Sequence, residues 1–394
     1  MQSHLSFLFV ATLLSLQLNT ALAQGESPKS DALRLDQFRP KSMLKVHYTN
    51  ITQAKFPVIN VHSHFGFRLK GSAEKLDEFI ELMDRNNIAM CVSLDARLGD
   101  TLDEHKKHLW TKYPNRFAIF AHIDWKGDGN EEKPETWDCH RPDFARRIAK
   151  QLAGAKQQGV CGLKIFKRMG LNYRNADGSL LKIDDRRWDP IWRACGELDF
   201  PIIIHTADPA AFFLPIDATN ERAEELFRHP DWSFPPDKFP SRQSLLDARN
   251  RVIARHPETV FIGAHGANNA EDLATVGKWL DQYPNLYVEF ASRIGELGRQ
   301  PYTARKFLIQ YADRVLYGTD GPWPEARVKQ YWRFFETYDE YFPYSEKEFP
   351  PQGFWNIYGV GLPDDVLKKI YHRNILKLLP QLRKQFDAAT ESKN

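Results

Sequence analysis

The sequence predicts an α/β protein folded as a (β/α)8 barrel, a TIM barrel. Eight apolar segments with strand composition are spaced along the chain, and amphipathic stretches lie between them. Strands that alternate with helices form parallel sheets with right-handed crossovers, and eight such units can close into a barrel. An open doubly wound sheet is the alternative. It needs a glycine-rich phosphate loop after the first strand, where this chain has His64-Phe65-Gly66-Phe67.

Each predicted strand is a run of β-branched, aromatic or other apolar residues, as expected for strands buried on both faces. In chain order they are residues 57–65, 88–97, 117–125, 160–167, 201–205, 260–266, 286–293 and 314–321. Amphipathic helices are predicted over residues 76–86, 145–158, 245–256 and 270–283, among others. Long segments follow the third, fifth and eighth strands, so we expect long loops over the carboxyl-terminal face of the barrel.

Histidines and an aspartate recur where these strands end. His62 and His64 form a His-x-His in the first strand, and side chains two apart on a strand share a face. The fifth, sixth and eighth strands end in His205, His265 and Asp320. Because the carboxyl ends of barrel strands meet at one face, we expect these side chains to gather there. Imidazole and carboxylate groups are typical ligands of a divalent transition metal.

With this ordered set of His-x-His, His, His and Asp, the chain resembles the amidohydrolase superfamily. The similarity is to its amidohydrolase-related branch, which includes aminocarboxymuconate semialdehyde decarboxylase-like enzymes. It covers roughly residues 56–380, and residues 366–376 look like the terminal helix of the branch. One position departs from the pattern: Asn60 stands where many members carry Asp. A neutral group there is expected to change the tuning of a metal rather than its presence.

The resemblance implies one divalent metal ion, Zn²⁺ in the first place and Mn²⁺ as the alternative. The implied ligands are His62, His64, His205 and Asp320. Asp320 is also expected to orient a water molecule and accept its proton. His265 is expected to hydrogen-bond the developing oxyanion or the leaving atom, with a role as a metal ligand as the alternative. In two-metal branches a carbamylated lysine bridges the ions. Lys164 lies on a strand of the corresponding rank, so a bridging role stays open beside a substrate contact.

Further residues are predicted to contact the substrate. Lys164 and three arginines at strand exits, Arg97, Arg168 and Arg293, are expected to bind a substrate carboxylate, with a purely structural role as the alternative. Trp323 lies three residues beyond Asp320 and is expected to stack on the ligand.

Three functions fit this site. The first is hydrolysis of an ester, lactone or amide bond in a small molecule, which includes carbohydrate-derived substrates. The second is non-oxidative decarboxylation of an aromatic or unsaturated carboxylic acid, which the same branch carries out. The third is a metal-dependent binding protein that has lost its activity. The ligands alone do not separate water attack from C–C cleavage, but hydrolysis is favoured because export and aromatic-rich loops fit a scavenged substrate.

The chain is predicted to contain one large domain. Residues 1–23 read as a signal peptide, because a short apolar run precedes Ala21-Leu22-Ala23, an A-x-A-like cleavage site. An amino-terminal extension over 24–55, the barrel over 56–380 and a polar tail over 381–394 follow. The protein is therefore expected to be exported, periplasmic or secreted, with no stable membrane anchor after cleavage. No Lys or Arg precedes the apolar run, so an uncleaved anchor is the alternative.

Charge and composition indicate the kind of partner. The formal net charge is +3, and basic residues are interspersed with acidic ones. This pattern lacks the basic patch of a nucleic-acid-binding protein. The expected partner is a small-molecule substrate, and a homo-oligomer stays open.

Overall fold

The computed structural model describes residues 34, 37–99, 101–345, 347 and 352–391. The chain divides into two compact units, residues 1–45 and 46–394. The barrel lies in the second unit, and the predicted signal peptide lies outside the described residues. No helix in the described part of the chain combines the length and the apolar character that a membrane crossing requires.

Eight parallel strands form one sheet in which neighbours follow chain order. The strands are β1 Val58–Ser63, β2 Ile88–Arg97, β3 Phe117–His122, β4 Gly162–Ile165, β5 Ile202–Ile204, β6 Phe261–Gly263, β7 Leu286–Glu289 and β8 Val315–Leu316. Backbone hydrogen bonds join the two ends of the sheet, since the Val61 amide donates to the Tyr317 carbonyl at 2.9 Å and the Asp320 amide to the His62 carbonyl at 2.9 Å. The predicted (β/α)8 barrel is confirmed, and the open doubly wound sheet is excluded.

Alternate residues of the strands face two different apolar clusters, which is the two-residue period of a barrel strand. Ile203, Ile262 and Leu316 pack in the inner cluster. Their neighbours in sequence, such as Ile202 and Phe261, pack in the outer cluster against the helices. Residue 164 lies in register with Ile203. The side chain of this lysine therefore points into the barrel.

The helices surround the sheet and are amphipathic as predicted. They are α1 Phe65–Leu69, α2 Ala73–Arg85, α3 Leu102–Trp110, α4 Phe144–Gln157, α5 Arg168–Leu171, α6 Asp189–Glu197, α7 Ala223–Arg228, α8 Arg242–Arg255, α9 Ala264–Ala267, α10 Leu273–Gln282, α11 Ile294–Gly298, α12 Pro301–Gln310, α13 Glu325–Glu336, α14 Asp364–Lys368, α15 Asn374–Leu378 and α16 Arg383–Glu391. A π-helical turn, Lys369–Arg373, joins α14 to α15. Two short strands, β9 Phe342–Pro343 and β10 Asn356–Ile357, pair after α13.

Residues on both sides of the predicted barrel range, 56–380, belong to the same unit as the barrel. Most of the predicted polar tail forms α16, which buries Phe386 and Ala389 against the inner cluster. These apolar residues recur on one side of the helix, so it packs even though most of its residues are polar. Residues 46–55, expected in the extension, belong to the same unit as the barrel. There the Thr49 hydroxyl donates to Asp339 Oδ1 at 2.6 Å.

Candidate active site

Three metal-ligating atoms meet at the carboxyl-terminal mouth of the barrel. His62 Nε2 and His64 Nε2 are 3.2 Å apart. Asp320 Oδ1 lies 3.6 Å from His62 Nε2 and 3.3 Å from His64 Nε2. Neighbouring ligands of a tetrahedral metal ion with bonds near 2.0–2.1 Å are about 3.3 Å apart. The spacing of these atoms fits a single divalent ion such as zinc.

Buried carboxylates orient both imidazoles. His62 Nδ1 lies 2.8 Å from Glu289 Oε1, and His64 Nδ1 lies 2.5 Å from Asp95 Oδ1. A carboxylate accepts the Nδ1 proton, so the lone pair of each neutral ring is on Nε2, toward the other ligand atoms. Burial works to lower the pKa of His64, but hydrogen bonds to Asp320 and Asp95 outweigh it and raise this pKa.

Glu289 is a functional residue that the sequence analysis missed. Its carboxylate accepts hydrogen bonds from His62 Nδ1, from the His265 amide at 3.0 Å and from the Ala291 amide at 2.5 Å. The residue is completely buried. The available signal was a lone carboxylate in the otherwise apolar strand Leu286–Glu289. Because its oxygens are already engaged, Glu289 acts by holding His62 rather than as a ligand itself.

Replacing Glu289 by glutamine should weaken metal binding about 10- to 100-fold, the usual effect of disturbing the group behind a ligand. Both Glu289 oxygens accept hydrogen bonds, whereas glutamine has one acceptor oxygen and no charge. Chelator competition would measure the weakening. Glu336→Gln is the matched control, because this half-buried carboxylate bonds Tyr371 and the Lys55 amide, away from the site. Equal metal affinity of the Glu289→Gln variant and the wild type would contradict the role assigned to Glu289.

Asn60, the departure from the family pattern, lies behind the site without touching either imidazole ring. Its Oδ1 accepts hydrogen bonds from the His62 amide at 3.2 Å and the Thr319 amide at 3.1 Å. Its Nδ2 donates to Thr319 Oγ1 at 2.7 Å. An amide can both donate and accept, whereas an aspartate could only accept here. Asn60 therefore ties β1 to the turn that carries Asp320.

His205 lines the same cavity but does not join the three ligating atoms. Its Nε2 is 3.1 Å from the Ala207 carbonyl and 3.2 Å from Asp208 Oδ1, so this nitrogen donates its proton there. Among the described residues, the groups close enough to hold an ion are His62, His64 and Asp320, and the overlapping set His62, His265 and Glu289. The structure thus brings three of the four expected ligands together, and the role of His205 as the fourth stays a prediction.

His265 sits in a strained turn directly after β6. The turn has left-handed φ angles from His265 to Asn268, at 57°, 66°, 52° and 54°. His265 Nδ1 donates to the Ala291 carbonyl at 2.8 Å, and burial lowers the pKa of the ring. The remaining nitrogen, Nε2, therefore carries a lone pair. In this state Nε2 is able to accept a hydrogen bond, and the catalytic role of His265 stays a prediction.

A cavity of about 540 Å³ opens above these residues. Lys164, Arg97 and Arg168 line it, as predicted for substrate contacts, together with Lys167, which the sequence analysis did not single out. Lys164 is 1% exposed, and burial lowers its pKa to about 8. Its Nζ lies 3.4 Å from His62 Nε2. Arg97 is half-exposed and pairs with Asp124 at 3.0 Å.

Two predicted substrate contacts occupy other places. Arg293 lines a second, smaller cavity beside the first. Trp323 also lines that second cavity, and its indole lies under the guanidinium groups of Arg68 at 3.9 Å and Arg327 at 4.8 Å. Two cations therefore already contact the ring, and the stacking of Trp323 on a ligand stays a prediction.

Comparisons with known proteins show the family and the fold of the chain. A family model described as amidohydrolase matches residues 89–381. No curated protein matches the chain. Among solved structures, 2,6-dihydroxybenzoate decarboxylase from Rhizobium is similar, with 18% identity over 83% of this chain and 99% of that chain and a TM-score of 0.51.

Two further structures are similar at lower scores. An uncharacterized TIM-barrel protein from Bordetella bronchiseptica has 15% identity, 83% and 99% coverage and a TM-score of 0.49. Dihydroxybenzoic acid decarboxylase from Polaromonas sp., with bound manganese and 2-nitroresorcinol, has 17% identity, 84% and 99% coverage and a TM-score of 0.49. Of the three, the Rhizobium structure, with a TM-score of 0.51, supports a shared fold.

Proposed function

The chain belongs to the amidohydrolase family, whose members are metal-dependent enzymes, and on this basis we propose that it hydrolyses an ester, lactone or amide bond of a small anionic molecule. One observation carries the proposal: a carboxylate, Asp320, lies with His62 Nε2 and His64 Nε2 at the spacing of metal ligands in a cavity large enough for such a substrate. Carbohydrate-derived acids are included in this class.

His62, His64 and Asp320 would hold the ion, with His205 as a further candidate. A bound divalent ion of this kind lowers the pKa of water from about 15.7 to about 7 and so supplies a nucleophile at neutral pH. Zinc fits the nitrogen and oxygen donors, and manganese is the alternative.

The protein's own groups can move the proton. In the proposed reaction, Asp320 accepts a proton from the attacking water and returns it to the leaving group. Ser292 Oγ, 3.3 Å from Asp320 Oδ2, holds the second carboxylate oxygen in place. His265 accepts a hydrogen bond through Nε2 and helps to orient the water or a substrate hydroxyl.

Lysines and arginines of the cavity select the charge of the substrate. Lys164 forms no ion pair with a described carboxylate, and its ammonium group lies beside the ligating atoms. It can donate to the carbonyl oxygen under attack, where negative charge develops. Arg168 lines the same cavity and can bind a carboxylate through two parallel hydrogen bonds.

The same cations support decarboxylation as the second candidate. A substrate carboxylate held by Lys164 and Arg168 would lie close to Asp320, as C–C cleavage of an aromatic or unsaturated acid requires. The two reactions differ in their products. Hydrolysis of an ester or lactone releases a proton, whereas decarboxylation releases carbon dioxide.

A product-resolved screen separates these candidates. Purified protein loaded with zinc or manganese would be incubated with lactones, esters, amides and aromatic acids, each with and without a second acidic group. Proton release, amine release and carbon dioxide release would be followed in parallel. Carbon dioxide as the sole product would replace the hydrolase proposal by the decarboxylase, and no turnover of any substrate would favour a binding protein.

Export is also part of the proposal. It is supported by the sequence of residues 1–23, which reads as a cleavable signal peptide. We expect the mature protein from its native host to begin at Gln24, which intact mass spectrometry would show. A mass that includes residues 1–23 would instead indicate the uncleaved anchor.

A further inference from the structure

A second cavity of about 210 Å³ adjoins the candidate active site. It shares four lining residues with the first cavity: Lys167, His205, His265 and Asp320. Its wall also contains Arg68, Arg293 and Arg327, and we call it the arginine chamber after them. A group bound in the chamber would lie directly beside the residues proposed to carry out the reaction.

The other cationic side chains along the chamber are already paired with carboxylates. Lys167 forms an ion pair with Asp208. Arg222 forms ion pairs with both Glu225 and Glu296. These pairs cancel most of their own charge, so they do not supply a partner for the three arginines that name the chamber.

Arg68, Arg293 and Arg327 form no ion pair with a carboxylate in the described part of the chain. Each donates one hydrogen bond to an uncharged oxygen: Arg68 to the Asp320 carbonyl at 2.9 Å, Arg293 to the Ser292 carbonyl at 2.8 Å and Arg327 to the Tyr344 hydroxyl at 3.0 Å. The Nε atoms of Arg68 and Arg327 are buried without a hydrogen-bond partner. Arg293 is only 9% exposed.

Three cations that share one small cavity repel one another, and burial of an unpaired charge is unfavourable. Such an arrangement is stable when a favourable contact offsets this repulsion. Trp323 offsets part of it, since both Arg68 and Arg327 lie over its indole ring. This contact also restrains the two guanidinium groups, so their remaining N–H donors are held ready for an acceptor.

We infer that the arginine chamber binds an oxyanion group, a carboxylate in the first instance, of the molecule that reacts beside Asp320. The reaction beside Asp320 is the one in the proposed function, so this part of the inference rests on it. The anion site itself is argued from the arginines alone. The first cavity provides Lys164 and Arg168 for one acidic group, and the chamber provides a second site on the other side of Asp320 and His265. The substrate class is therefore a small molecule with two acidic groups, cleaved between or beside them.

Calorimetric titration of the full-length, metal-loaded protein with inorganic sulfate tests the anion site without any turnover. Arg68→Met and Arg327→Met should each weaken sulfate binding about tenfold or more, the usual effect of losing a charged hydrogen-bond donor. Arg327→Lys keeps the charge but loses the planar donor pair. Its affinity for sulfate should lie between that of the two methionine variants and that of the wild type. Arg251→Met, which breaks the ion pair of an exposed arginine with Asp184 outside both cavities, is the control, and it should change the affinity less than about twofold.

The melting temperature of each variant separates binding from a structural role. Arg68 and Arg327 are partly exposed and form no ion pair with a described carboxylate. Their removal should therefore lower the melting temperature less than removal of Arg222, which is buried in two ion pairs. A lower melting temperature of Arg327→Met with unchanged sulfate binding would overturn the inference. So would a larger loss of sulfate binding in Arg97→Met than in Arg327→Met, because the anion would then lie in the first cavity.

A pair of organic acids tests the substrate class. Glutarate carries two carboxylates, and butanoate is a shorter acid that carries one. The wild type should bind glutarate about tenfold or more tightly than butanoate, and Arg327→Met should lose this preference. Equal binding of both acids to the wild type would overturn the two-acid substrate class. A retained glutarate preference in a protein that turns over no substrate would instead leave this inference standing and reject the proposed hydrolysis.

Discussion

Asparagine in place of Asp320 should lower kcat by about two orders of magnitude or more, the usual contribution of a general base. The substitution keeps the volume and one carbonyl oxygen but removes the charge and the proton acceptor. It also suits the backbone, because Asp320 has a φ of 65° and asparagine adopts this left-handed conformation readily. The loss should therefore be chemical rather than structural.

Activity per bound metal ion is the quantity to compare, because Asp320 is also a proposed ligand. The metal content, the melting temperature and kcat would be measured on the same preparations. Asp272→Asn is the control: Asp272 caps α10 by accepting from the Thr275 amide at 3.0 Å, and asparagine caps helices equally well. Near wild-type turnover by a metal-loaded Asp320→Asn variant would refute the proton transfer assigned to Asp320.

Methionine in place of Arg222 should lower the free energy of unfolding by about 3–5 kcal/mol, the typical loss when one member of a buried ion pair is removed. Arg222 is 4% exposed, and it bonds Glu225 Oε2 at 2.6 Å and Glu296. The variant would leave both carboxylates buried without a cation. Burial acts to raise the pKa of Glu296, but the charge of Arg222 and, less strongly, that of Arg293 outweigh it together with hydrogen bonds and lower this pKa.

The pH dependence gives this prediction its sign. Without Arg222, burial should raise the folded-state pKa of Glu296 above its unfolded value. The variant therefore loses folding free energy at a pH where the unfolded carboxyl is ionised. This loss shrinks as the pH falls, because the buried carboxyl of the folded protein becomes protonated. The deficit relative to wild type should therefore be smaller at about pH 5 than at pH 7. Urea unfolding at both pH values would measure it. Arg373→Met, which breaks an exposed pair with Asp365, should change stability by about 1 kcal/mol or less.

If the Arg222→Met deficit were as small as that of the exposed control, the buried cluster would contribute little net stability. The cluster joins α7, in the long segment after β5, to α11 beside the arginine chamber. Its loss should therefore also loosen this part of the barrel mouth.

The sequence alone determined the barrel and the order of its polar strand ends. Each strand is a short run of neighbouring residues, so its apolar character can be read locally, and all eight predicted strands are present. The two-residue period of side chains along a strand predicted that His62 and His64 lie together. The position of Asp320 at a strand end predicted that it lies near them, and both are observed. These conclusions needed only local pattern and the rule that parallel strands end at one face.

The tertiary structure alone decided which atoms meet. Glu289 reaches His62 across 227 residues of chain, and Arg68 reaches the Asp320 carbonyl across 252. Likewise, His205 turns its Nε2 toward Asp208, and Trp323 lies under two arginines. These contacts depend on the side-chain rotamer and on the packing of distant segments. Neither is encoded in the spacing of residues along one strand, which is why the sequence located the site but not the partners of each group.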